Sequence, residues 1–455
     1  MKSVTGRKPH FRSDGVMHAT INGHRFHLRE NENHHNLLWI DGRQPPLILD
    51  QTAGSFMRHV IEGMWLFQQG EGDESERVAE YVVDKAYRKY GRPLALGKRR
   101  VTRQRIRADL DRFFGTVMCV AEGKCPAEMG LDSRVLDYAN WRAPARMDLA
   151  VTYRCNLKCG KCYLPDTGAM QELPAEEWLR IYEILWNIGV PQVVVTGGEP
   201  TLRPDIISLV SQADEFVTGL VTNGTKLEEL AAQLRDASLD YVQVTIESSN
   251  PGIHDEMTGV SGSHALTVGG IRKAMAVGLR VVTNTTLTAC NAPSFTETVR
   301  WLHEALGVKH VACNTLICSG RGITCKAENG LSDEDLKRYL ESACEEASRL
   351  GLDFQWYSPT CYVTGVNPLD LGFGVKACSA AAHNMTIQPD GSVLPCQSWP
   401  ETVGNILKDP WDSIWSHPTC VKLRQGKAPE ECQGCAYEES CSGGCPLDKS
   451  PRRRE

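Results

Sequence analysis

The chain has no uninterrupted apolar run near the ~20 residues that a helix needs to cross a bilayer, which argues against an ordinary membrane span. Residues 1–10 are basic but contain no apolar core, so they do not make a secretory signal. Charge of one sign is also lacking. A formal net charge of -6 argues against nucleic acid or an anionic membrane as a partner. Hydrophobic content of 41% and charged content of 23% are ordinary for a globular protein, and a cytoplasmic setting is the default expectation. At 455 residues, about three domains are expected.

Cysteine, by contrast, is abundant at 18 residues. A disulfide scaffold does not account for them, because such scaffolds are short and secreted. Nine fall into close metal-type spacings. The others include Cys119, Cys125, Cys290, Cys313 and Cys344, which read as small buried hydrophobes.

The pattern along the chain changes twice. In the first part, Val16–Ile21 and Arg25–Arg29 alternate around Asn22-Gly23, a hairpin signal, and a second strand pair flanks Asp41-Gly42. Helices are expected over Thr52–Trp65, capped by Asp50, over Glu74–Tyr90 and over Ile106–Met118. This is a winged-helix-like α+β module, and seven His between His10 and His59 are expected to be mostly solvated. Strands then alternate with helices. Strands are expected at Met147–Thr152, Gln192–Thr196, Phe216–Val221, Tyr241–Ile246, Val281–Leu287 and His310–Asn314. Six strands each followed by a helix predict an α/β fold, a partial (β/α)6 barrel of the TIM type, with functional groups at the C-terminal strand ends. Beyond about 351 the periodicity fades and Cys, Gly and Pro become dense, so bound metal is the expected source of cohesion. The expected domains are therefore 1–135, 136–350 and 351–455.

Directly after the first barrel strand come Cys155, Cys159 and Cys162, spaced C-x3-C-x2-C. Three thiolates on one cubane cluster leave an iron open to a small molecule, whereas electron-carrier clusters close all four irons. A zinc site is the competing reading, but three thiolates without a near fourth are a poor zinc set. After the second strand comes Gly197-Gly198-Glu199-Pro200, where glycines permit close backbone approach and Glu199 can accept from an ammonium.

Together these motifs resemble the S-adenosylmethionine-radical (radical SAM) superfamily. The resemblance implies a [4Fe–4S] cluster on the three cysteines, with its open iron chelating S-adenosylmethionine and residues 197–200 contacting the cofactor's amino group. Reductive cleavage would then yield a 5′-deoxyadenosyl radical. The family usually carries an aromatic residue where this chain has Lys161, with Tyr163 after the third cysteine. Asn223 and Glu247, at later strand ends, are candidate ribose or substrate contacts, with Asn291 a further strand-end polar group. Arg321, in the loop after the sixth strand, is another candidate contact. No substrate-facing acid or base can be named.

Further on, Cys378, Cys396, Cys432, Cys435, Cys441 and Cys445 follow the order of the SPASM extension of the same superfamily. By that resemblance Cys378, Cys396 and Cys445 serve one auxiliary iron–sulfur cluster and Cys432, Cys435 and Cys441 another. The family's seventh cysteine is not found, so the second cluster needs another ligand such as Asp448, keeps an open iron, or is lost. Cys361 is the candidate fourth ligand of the first. A zinc ribbon over 432–445 is the alternative. The N-terminal module resembles the PqqD-like element that binds leader peptides by strand addition. The three resemblances imply an enzyme oxidising or crosslinking a peptide precursor, reduced by a flavodoxin or ferredoxin. Haem-type or redox-cofactor maturation, and a non-catalytic electron relay, are the rival readings.

Overall fold

The computed structural model describes residues 16–30, 36–40, 47–67, 74–91, 101–124, 129, 142–164, 170–214, 216–237, 239–363, 365–426, 429–441 and 443–448. The expected turn at Asp41-Gly42, Cys125 and the tail 451–455 lie outside them. The chain divides into two compact units, Met1–Trp141 with Trp186–Pro191, and Arg142–Leu185 with Gln192–Glu455.

In the first unit, β1 (Val16–Ile21), β2 (His24–Glu30), β3 (Asn36–Ile40) and β4 (Leu47–Leu49) form an antiparallel sheet in sequence order. Asn22 and Gly23 both have positive φ, as the two-residue hairpin turn requires. Three helices follow, α1 (Gln51–Phe67), α2 (Glu74–Tyr90) and α3 (Arg103–Ala121). Asp50 caps α1 by accepting from the Ala53 amide at 2.7 Å. The sheet buries Phe26, Leu28 and Leu38 against Met57, Ile61, Val82 and Leu110 of the helices. His27 corrects the solvated-histidine expectation, because β2 buries it fully.

The second unit is built on one ten-stranded sheet. Strands β5 (Arg146–Thr152), β6 (Gln192–Gly197), β7 (Val217–Thr222), β8 (Tyr241–Thr245), β9 (Arg280–Leu287) and β10 (His310–Thr315) lie parallel and in chain order. Their crossovers carry α4 (Ala175–Asn187), α5 (Ile206–Gln212), α6 (Leu227–Asp236), α7 (Pro251–Thr258), α8 (Ser263–Ala276) and α9 (Phe295–Glu304). After β10 come α10 (Gly322–Asn329) and α11 (Asp333–Arg349). This is the expected partial barrel.

Two more parallel strands extend it. β11 (Asp353–Trp356) pairs with β10, and β12 (Asn384–Ile387) pairs with β5. Both are four residues long and lie beyond 351, where no strand was expected; a segment that short shows little alternation of its own. β13 (Ser392–Leu394) and β14 (Gly404–Asn405) add antiparallel to β12. Short helices α12 (Trp411–Trp415), α13 (Pro418–Arg424) and α14 (Glu438–Cys441) complete the unit. Because β5 to β12 are all parallel, their C-terminal ends share one edge, and the conspicuous motifs gather there.

Candidate iron–sulfur and S-adenosylmethionine site

The loop 153–164 leaves β5 and carries Cys155, Cys159 and Cys162, with Cys155 the most exposed. The three thiols are close enough to feel one another's charge. Burial pushes the Cys155 thiol up and the Cys159 thiol up to about 11. Holding them as thiolates therefore requires a metal that displaces the protons. Among the described residues, no three His, Cys, Asp or Glu side chains meet closely enough for a single ion.

The glycines after β6 press against this loop. The Gly198 amide donates to Thr152 O at 2.8 Å, and the Glu199 amide to Arg154 O at 2.8 Å. Gly197 adopts φ +137°, and a Cβ there would lie 2.0 Å from Thr152 O. A Cβ on Gly198 would lie 2.5 Å from Arg154 O. Both contacts are with backbone that cannot yield, so only glycine serves.

Glu199 is fully buried, and burial raises its carboxyl despite four hydrogen bonds. Its Oε1 accepts from the Thr201 amide and hydroxyl at 3.0 and 2.5 Å and from Thr222 Oγ1 at 2.7 Å; its Oε2 accepts from the Asn223 amide at 2.7 Å. The carboxylate thus welds β6 to β7, and only Oε2 keeps capacity for a further donor. Asn223 is engaged likewise. Its amide nitrogen donates to Asn156 Oδ1 at 2.8 Å, and its Oδ1 accepts from Thr225. It ties the cysteine loop to the end of β7. Asn291 is structural, donating to Glu247 O and Thr286 O.

Lys161, the departure from the family pattern, reaches inward. Its Nζ lies 2.6 Å from Glu247 Oε1 and donates to Thr286 Oγ1 at 3.1 Å. The Glu247 side chain is fully buried, and its Oε2 accepts from the Thr286 amide. This ion pair staples the loop to β8 and β9. Arg203 was not singled out in the sequence. Its guanidinium grips Asp205 through two bonds and donates to Val151 O and Leu173 O. Beyond Cys162, Tyr163 donates to Gln397 Oε1 at 2.9 Å, and Cys162 O accepts from the Gly322 amide at 3.1 Å. Arg321 is exposed and lines a cleft with Gly160, Cys325 and Glu328. A second cleft, along α9 at Glu297, Arg300 and Trp301, contains none of these groups.

The C-terminal cysteines form two sets. Cys378, Cys396 and Cys445 feel one another's charge, and burial pushes Cys378 up to about 11 and Cys396 up to about 12. Cys361, expected as the fourth ligand of the first set, has Cys441 as a neighbour: Cys441 Sγ contacts Thr360 O at 3.4 Å, and Cys441 feels the charge of Cys361 and Cys432. Asp448 also falls on the other side: it pairs with Lys326 at 2.6 Å, one turn after Cys445. Cys318, passed over in the sequence, lies beside that pair and feels Cys445. Cys313 is buried as expected, whereas Cys290 is exposed.

Residues 149–302 match the Radical SAM superfamily, and residues 378–436 match SPASM, an iron-sulfur cluster-binding domain. The chain therefore carries a radical SAM domain and a SPASM domain, and with them it is an enzyme. Those domains imply a [4Fe–4S] cluster, S-adenosylmethionine binding and auxiliary iron–sulfur clusters. Among curated relatives, the AdoMet-dependent heme synthase of Methanosarcina barkeri is 26% identical over 323 residues, 66% of this chain and 91% of the relative. The PqqA peptide cyclase of Ruegeria pomeroyi is 27% identical over 318 residues, 67% of this chain and 82% of the relative. Among solved structures, Streptococcus suis SuiB bound to S-adenosylmethionine superposes with a TM-score of 0.61 at 18% identity, covering 97% of this chain and 96% of that one. SuiB bound to precursor peptide SuiA gives 0.60 at 18% identity, over 90% and 92%. At this identity the likeness is one of fold. Among the described residues, no helix is long and apolar enough to cross a membrane.

Proposed function

We propose that this chain cleaves S-adenosylmethionine reductively and uses the resulting radical to oxidise or crosslink a ribosomal peptide precursor in the cytoplasm. The carrying observation is the loop 153–164, whose three thiols stand at the C-terminal strand ends, braced from β6, β7, β8 and the loop after β10. In this reading Cys155, Cys159 and Cys162 hold the first cluster. A cluster held there would supply the one-electron reduction that splits the sulfonium of S-adenosylmethionine. The chain's own residues orient and shield. Gly197 and Gly198 keep the loop seated, and Glu199 Oε2 keeps one acceptor position for the cofactor's amino group. Lys161 holds Glu247 in place, and Arg321 stands at the mouth of the adjoining cleft. Cys378, Cys396 and Cys445, with Cys432, Cys435 and Cys441, hold auxiliary clusters that accept the substrate's electron. A flavodoxin or ferredoxin is the proposed reductant.

The four-stranded sheet of the first unit supports a leader-peptide role, since β1 and β4 each have one neighbour within it. The peptide cyclase and the peptide-bound structural neighbour favour a peptide substrate. The heme synthase relative favours a tetrapyrrole as the second reading.

Anaerobically reconstituted protein, given strong reductant and S-adenosylmethionine, should form 5′-deoxyadenosine. The C155A/C159A/C162A variant should form none. Equal turnover by both proteins would refute the assignment, and a reduced-cluster spectrum unchanged by S-adenosylmethionine would favour an electron relay. Mass analysis of copurified ligand separates peptide from tetrapyrrole.

A further inference from the structure

We propose that Cys361 is the fourth ligand of the second auxiliary cluster, closing a set with Cys432, Cys435 and Cys441. The inference rests on reading these cysteines as cluster ligands and adds which thiol completes the set. The segment 359–362 and the turn 432–444 are joined at three points. Cys441 Sγ contacts Thr360 O at 3.4 Å. Gly444, at φ +80°, lies so close that a Cβ on it would stand 3.1 Å from the Cys361 amide nitrogen. The rings of Tyr362 and Tyr437 pack with centroids 5.8 Å apart. Each point lies within a few residues of a cysteine of the set.

Local bonds hold both partners in shape. On one side, the Gly365 amide donates to Cys361 O at 2.8 Å, and Thr360 Oγ1 donates to Val366 O at 2.8 Å. On the other, the Cys435 amide donates to Cys432 O at 3.0 Å and the Cys441 amide to Tyr437 O at 2.8 Å. Cys441 also feels the charge of Cys361 and Cys432. The competing ligand, Asp448, is engaged by Lys326 and sits beside Cys445 of the other set.

Four thiolates leave no iron open. The second auxiliary cluster is then an electron carrier rather than a substrate-binding site. The two extra sites thereby divide in role, because only the set around Cys378, Cys396 and Cys445 still lacks an assigned fourth ligand.

The test uses the full chain with Cys155, Cys159 and Cys162 replaced by Ala, reconstituted with iron and sulfide. Its readout is independent of S-adenosylmethionine cleavage. Cys361, Cys432, Cys435 and Cys441 should resist iodoacetamide together and become reactive together once iron is chelated, while exposed Cys290 reacts throughout. Cys361→Ala should lose about one iron per chain more than the parent on mild oxidation and gain a three-iron EPR signal that the parent does not show. Asp448→Ala should not. Alkylation of Cys361 while the other three stay protected would overturn the proposal, as would a three-iron signal from Asp448→Ala alone. Zinc in place of iron on these four thiols would overturn it too. The alkylation arm needs no Cys361 variant, so a misfolded Cys361→Ala protein cannot hide the answer.

Discussion

Gly197 and Gly198 have a double reason to be glycine. A radical SAM motif suggests approach to a cofactor, but the structure adds a contact that exists without one, with Thr152 O and Arg154 O. Gly197→Ala should therefore destabilise even the metal-free protein, by about 1–3 kcal/mol in chemical denaturation, through strain at a positive φ. An apoprotein of unchanged stability would refute this. Lys161 makes a similar case. Removing it leaves Glu247 buried without its cation, so Lys161→Met should cost about 3–5 kcal/mol. Adding Glu247→Gln should recover part of that loss, and a double variant no better than the single one would contradict the pairing. Neither consequence is readable in sequence, because Lys161 and Glu247 are 86 positions apart and meet through a fold closure.

Helix α7, only eight residues long, was too short to announce itself by periodicity, yet it positions the end of β8. Asn250 caps it, accepting from the Gly252 and Ile253 amides. His254 on this helix is fully buried, and its Nδ1 accepts from the Glu247 amide at 3.2 Å. Burial, with the neighbouring His264 adding to it, pulls its pKa down from 6.5 to about 4. The folded state thus binds fewer protons than the unfolded chain between these values. Stability should be complete above about pH 6.5 and decline as pH falls towards 4. Metal-free protein should lose about 2 kcal/mol between about pH 7 and about pH 5 from this residue. His254→Gln keeps an acceptor and should flatten that part of the profile in urea titrations. A parallel decline in the variant would assign the acid sensitivity elsewhere. The longer helices α2 and α3 were legible because their apolar faces repeat over several turns.

Across the second unit, cohesion is uneven. Strands β5 and β6 are almost wholly buried, whereas residues 429–440 bury no side chain among those described. That segment has little apolar area to lose, so ligated metal should dominate its order. Removing iron should raise amide hydrogen exchange over 429–448 far more than over β5 to β8. Uniform exchange across both regions would argue against this division.

The chemistry was legible before the fold, because thiolate spacing and the Gly-Gly-Glu-Pro turn are short and local and depend on residue type. Strands β5 to β10 were legible too, since each is a short stretch carrying Val, Leu or Thr that alternates with helical stretches along the chain. Left undecided was every question of which distant group meets which. Cys361 stands by Cys441 because Gly444 admits its backbone. Asp448 is claimed by Lys326, Glu199 is occupied by β7, and Lys161 turns inward to Glu247. Such pairings are set by sheet register and by the packing of loops on strand ends. They connect positions far apart in the chain, so no local pattern can encode them.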